Sequence, residues 1–282
     1  MKKIMFAAVL TMFGSLANAY FDGGASVTTG PDGYRGTDIY LIIGGNNLWI
    51  KPSLSSYTSD ILDETYKTYK VRGGFEADVY TLAGEAGTTP EINGYSNKFF
   101  GGDITLSLTP GEGGKSRLAG PGARAGSRGG QGVTRIDVGA GLKHSIHTLD
   151  TAGIEKETGQ TEYSLFAGAK ILSSHLGASF TGYSYGDENA LPLIVIPGHN
   201  FILYGYPKSS VNARLDLTGY PMVTPFVSYT TTKYKNNTAG SSAYLFGAYI
   251  DLNMIEANVG YQIFDGGSGK DNFISIGAGV KF

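Results

Sequence analysis

The chain has 282 residues, 43 of them glycine, 19 tyrosine and 14 phenylalanine, with no cysteine and a formal net charge of −2. That charge offers no basic field for nucleic acid, and the missing cysteines exclude a disulfide scaffold. A mean hydropathy near zero is too polar for a bundle of membrane helices and suits strands that hide their apolar residues by alternation.

From the start, Met1-Lys2-Lys3 is basic, 4–16 is an apolar run and Ala17-Asn18-Ala19 is a small-residue cleavage site. This is the pattern of a secretory signal peptide over 1–19, cut before Tyr20. The run falls short of the roughly 18 apolar residues of a spanning helix. Segment 20–47 is rich in Gly, Thr and Asp and reads as a leader or plug segment. Within it, 38–43 fits a short strand and turn, an inward plug, or the start of a longer first strand. Twelve strand-like segments follow, at 48–58, 66–75, 78–87, 96–108, 133–146, 160–172, 176–186, 209–219, 224–234, 241–252, 255–264 and 272–282. A Gly/Arg-rich insert, 109–132, interrupts them and has the composition of a tether. Its Gly114-Lys115-Ser116 looks like the end of a P-loop, but the first glycine of that motif would fall on Thr109. Its cations Lys115, Arg117, Arg124 and Arg128 read as a solvated run. The apolar stretch 191–206 has arms too short to span a bilayer. It fits a sheet extension, a constriction in the mouth, or a hydrophobic binding loop.

In the last segment Ile274, Ile276, Ala278, Val280 and Phe282 share one face, and Ser275, Gly277, Gly279 and Lys281 the other, with Phe273 the exception. Such a period of two is a strand with one apolar face. At about 10 residues it crosses a bilayer when tilted. Ending on an aromatic, it resembles the C-terminal strand of bacterial outer-membrane β-barrels. The resemblance implies an outer-membrane location, lipid and the barrel assembly machinery as partners, and Phe282 as the assembly signal. The expected fold is an all-β, antiparallel up-and-down transmembrane barrel over 48–282, of about 12 strands, or 14 if the arms of 191–206 join it. Counted back from the C-terminus, the short connections at 76–77, 173–175, 220–223 and 253–254 fall on the periplasmic side. The longer ones at 59–65, 88–95, 147–159, 187–208, 235–240 and 265–271 fall outside, and the insert breaks this pattern.

The alternation assigns residues to faces. Sets such as Ile136, Val138, Ala140, Leu142 and Tyr163, Leu165, Ala167, Ala169, Ile171 point outward, uncharged. Inward fall the cations Lys51, Lys70, Arg72, Arg135, Lys143, Lys170, Arg214 and Lys281. The inward anions are Asp103, Asp137, Glu162, Asp216, Asp251 and Glu256, with Glu76 and Glu85, making eight of each sign. Such charges pair or meet water. Inner Gly and Ser, as at Gly139, Gly141, Gly168, Gly247, Gly260, Ser275, Gly277 and Gly279, leave room, and more than eight strands enclose more space than side chains fill. The expectation is therefore a water-filled lumen and a passive, porin-like channel for small polar solutes. The alternatives are a structural or surface-interaction barrel with a plugged lumen, and uptake of an apolar solute. Ser145, His147 and Asp150 lie near one rim, but nothing around them marks a nucleophile. The chain is expected not to be an enzyme, and no cofactor or metal is expected because metal-ligand spacing is absent.

Overall fold

A computed structural model describes residues 20–45, 47–60, 64–109, 118, 120–121, 135–151, 153–188, 194–195, 203–204, 206–236, 238–266 and 269–282. Its strands are β1 (Tyr20–Thr29), β2 (Arg35–Gly45), β3 (Leu48–Thr58), β4 (Tyr66–Glu76), β5 (Tyr80–Ile92), β6 (Tyr95–Ser107), β7 (Arg135–Thr151), β8 (Ile154–Ile171), β9 (Ser174–Tyr185), β10 (Ile194–Val195), β11 (Leu203–Tyr204), β12 (Pro207–Leu217), β13 (Val223–Tyr234), β14 (Ser241–Asp251), β15 (Ile255–Asp265) and β16 (Lys270–Lys281). All except β10 and β11 form one closed barrel of antiparallel neighbours, with β1 sealing it against β16. Closure leaves no unpaired sheet edge.

The barrel thus has 14 strands, not 12, and the two extra ones come from 20–47, not from the 191–206 arms. The described part of those arms is the β10–β11 pair, separate from the barrel sheet, and Tyr206. The reading of 20–47 as leader or plug is corrected: β1 pairs along its length with β2 and β16. Two features hid these strands. The outward set of β1 is Phe21, Gly23, Ala25 and Val27, half of it small. In β2 the run Ile39–Ile43 is apolar on both faces, which erases the period of two. The signal that marks the hairpin is Asp32-Gly33. Both residues have positive φ (51° and 65°), and the Tyr34 amide donates to the Pro31 carbonyl at 3.0 Å. This is the tight hairpin turn whose twist matches paired strands. The signal-peptide reading, the P-loop-like tripeptide and the four insert cations fall outside the described residues.

The start of β1 and the end of β16 lie at one end of the barrel. The connections there, apart from 108–134, run from two to five residues, at 46–47, 77–79, 172–173, 218–222 and 252–254. At the opposite end two expected loops are mostly strand. β5 and β6 continue to a turn at 93–94, where Asn93 and Gly94 again have positive φ. β7 and β8, of 17 and 18 residues, continue until only 152–153 separate them. Their cross-strand pairing runs unbroken from Arg135↔Lys170 to Thr151↔Ile154. Polar, charged pairs such as Asp150↔Glu155 carry no apolar signal, so in sequence the extension has the look of a loop.

Ile136, Leu142, Tyr163, Leu165, Ile171, Val211, Tyr244, Phe246, Val259, Ile274 and Ile276 are all exposed on the outer face. A belt of that size on a monomer in water would drive association. Phe282 is exposed and lies beside Phe21. Its amide donates to the Phe21 carbonyl at 2.7 Å, and the Phe21 amide donates back at 3.0 Å. Deleting Phe282 removes the last rung of the closing seam. The expected result is less heat-modifiable barrel in outer-membrane fractions; wild-type yield would refute this role.

Candidate functional site: the charged lumen

The inner face carries pairs at the positions where neighbouring strands bring opposite charges together. Arg72 on β4 faces Glu85 on β5 in register and reaches Glu85 at 3.3 Å and Asp103 on β6 at 2.5 Å. Lys143 on β7 faces Glu162 on β8 at 2.8 Å. Two pairs form along one strand, Arg135 with Asp137 at 3.1 Å and Arg214 with Asp216 at 2.6 Å, because residues two apart share a face. Lys281 bridges Asp251 at 2.9 Å and Glu256 at 2.6 Å near the terminal end. Lys51 sits over the Tyr40 ring, 4.6 Å from its centroid. Arg214 also stacks on Phe226 at 4.1 Å.

These groups do not form one uniform lining. A cavity of about 500 Å³ is bounded by Lys70, Arg72, Glu85, Asp103, Lys143, Glu162, His175, Asn212, Arg214 and Asp216. Lys51, Arg135, Asp137, Lys170, Asp251, Glu256 and Lys281 stand on the inner register but away from that cavity. Hydration differs between the pairs. The Lys143 and Glu162 side chains keep 31% and 20% of their surface, whereas Arg72 and Asp103 keep 6% each. Lys70 lines the cavity with no carboxylate partner among the described residues.

Toward the terminal end, where His175 and Asp216 border the cavity, Arg135, Lys170, His175 and Asp216 align in one row across β7, β8, β9 and β12. All four are buried. Asp137, beside this row, is wholly buried and accepts from Arg135 Nε at 3.1 Å and from the Leu118 amide at 2.9 Å.

Expectation and structure part over the small inner residues. The room above several is already filled from inside the barrel. The Phe166 ring lies over Gly139, Leu118 over Gly168, Phe226 over Gly247 and Asn258 over Gly277. Alternation assigns parity but gives no account of what leans across from the next strand. At the end opposite the termini the inner face turns aromatic: Tyr34, Tyr57, Tyr66, Phe264 and Phe273 bury together, with Ile92, Tyr95 and Tyr234 against them. Phe273, the exception to the alternation of the last strand, is a member of this cluster. Tyr185, Leu149 and Tyr206 pack as a second group.

His147 belongs to that aromatic end. Lys98 points outward, exposed, at the level of Ile146, so the apolar belt stops below His147. Its Nδ1 meets the Tyr95 hydroxyl and the Asn97 amide nitrogen, each at 2.9 Å. Burial, and then the Lys143 charge, push the His147 pKa down to about 4 from 6.5. The fold therefore favours the neutral ring. That contribution is complete above pH 6.5 and is lost as pH falls toward 4, while the unfolded chain takes up the proton. Lowering the pH from 7 to 4 should cost about 3 kcal/mol through this group. The check is the denaturant midpoint at both pH values, with His147→Gln losing that part of the pH dependence.

No family model and no curated protein matches the sequence. Solved structures do match. OprB of Pseudomonas putida superposes with a TM-score of 0.52 at 7% identity, over 98% of this chain and 97% of that one. CdiB from Acinetobacter baumannii gives 0.53 at 12% identity, over 95% of this chain and 60% of the CdiB chain. The present chain thus spans about three-fifths of CdiB and nearly all of OprB. At such identities the likeness is one of fold. The fold is that of the bacterial outer-membrane β-barrels.

Proposed function

We propose that the protein sits in the outer membrane, delivered there by a signal peptide over 1–19, with both termini in the periplasm, and acts as a passive channel for small polar solutes. The apolar belt meets lipid, and the aromatic C-terminus engages the barrel assembly machinery. The observation that carries the channel reading is the polar cavity that Lys70 lines and whose Lys143–Glu162 pair stays open to water. Charges in a dry filling would be buried and paired. Paired signs give weak ion preference, and Lys70 is the group able to bias it. No reaction is assigned to the lumen; His147 Nδ1 is engaged by Tyr95 and Asn97. A second reading, a structural barrel with a filled lumen, draws on the aromatic cluster at the far end.

Planar-bilayer recordings separate the two. The wild type should pass current with little selectivity. Lys70→Glu should fold normally and shift the reversal potential in a salt gradient toward cations, since one fixed positive charge becomes negative. Absence of current from the wild type favours the filled barrel.

A further inference from the structure

We infer that the inner wall of β7, β8 and β9 is a docking surface for the chain's own Leu118, Gly120 and Pro121, and that the segment carrying them sets the width of the lumen. The second half rests on the channel reading; the first does not. The docking surface is one cross-strand row, Asp137↔Gly168↔Gly177, flanked by Arg214 on β12. Its two central positions have no side chain, so the wall there is bare backbone. Leu118 occupies that gap. A Cβ on Gly168 would lie 2.7 Å from the Leu118 Cβ and 2.8 and 2.9 Å from its carbonyl carbon and oxygen. Such approaches are closer than real side chains allow, so nothing larger than glycine fits while the segment is seated. The Leu118 carbonyl oxygen lies 3.7 Å from where a Gly177 Cβ would be.

The seat has an electrostatic anchor as well as a shape. The Leu118 amide donates to Asp137, a carboxylate with 0% exposure. A buried carboxylate needs hydrogen-bond donors on its oxygens, and the segment supplies one beside that from Arg135. Gly120, at φ +90°, packs on the Phe166 ring, and a Cβ there would meet that ring at 2.5 Å. Leu118, Gly120 and Pro121 then form part of the wall of the 500 Å³ cavity. A segment from the insert between β6 and β7 therefore lies inside the barrel and occupies lumen volume that bare strands would leave to water.

The test joins amide exchange to conductance. In the folded wild-type barrel the Leu118 amide should exchange far more slowly than an unstructured amide. Gly168→Leu puts a side chain into the seat and should abolish that protection, while strand amides of β7–β9 stay protected and so report an intact barrel. Replacing 110–132 by a short Gly-Ser linker, or introducing Gly168→Leu, should raise single-channel conductance above wild type. An unprotected Leu118 amide in the wild type overturns the docking. Equal conductance in all three forms overturns the narrowing. No current from any form removes the channel reading and the narrowing with it, and Leu118 protection then still upholds the docked segment.

Discussion

A chain that begins after Thr29, with its export signal retained, will not form the heat-resistant barrel. β1 is the closing strand: Asp22 to Thr29 pair with Lys281 to Ile274, and Tyr20 to Thr29 pair with Gly44 to Arg35. Its removal exposes the edges of β2 and β16 together. Inside hydrocarbon no water satisfies those amides and carbonyls, and each unmet group costs several kcal/mol. Thirteen strands would also have to close with two neighbouring strands parallel, since every pair in the present barrel is antiparallel. The measurement is the mobility of unheated against heated protein on SDS gels, with the β signal in circular dichroism. A truncated chain that folds in wild-type yield would return 20–29 to the role of a dispensable leader.

Arg72→Ala should destabilise the barrel by about 3–5 kcal/mol, the cost of leaving a buried charge without its partner. Arg72 holds two carboxylates, Glu85 and Asp103, and is itself almost fully buried. Both anions lose their counter-charge at once. Adding Asp103→Asn to Arg72→Ala should recover much of the loss, because the stranded carboxylate and not the missing packing is the main cost. Lys143→Ala provides the contrast. That pair is open to water, and exposed pairs contribute about 0–1 kcal/mol. Denaturant unfolding of the four proteins reads these differences directly. An Arg72→Ala barrel as stable as the wild type would mean that water reaches Asp103 and that the cavity extends behind it.

The sequence alone determined which residues face outward and which face inward. In a strand the side chains alternate strictly, so one misread charge on the outer face would have broken the pattern; Val211, Phe246, Val259 and Ile276 all stand exposed outside, and the Arg72, Lys143 and Arg214 pairs stand inside. Closure was not legible there. Whether 20–45 is leader or wall depends on pairing with a strand some 250 residues away, and β1 carries too few large apolar residues to declare itself. The reach of β7 and β8 beyond the belt was hidden because polar strands and polar loops have one composition, and only the hydrogen-bonded ladder from Arg135↔Lys170 to Thr151↔Ile154 tells them apart. The state of the lumen was also decided by tertiary structure. Glycines at 139, 168 and 247 read as empty space along the chain, yet Phe166, Leu118 and Phe226 lean over them from other places in the sequence. Alternation fixes the side of the wall a residue occupies; what fills the space in front of it depends on residues that become neighbours only when the barrel closes.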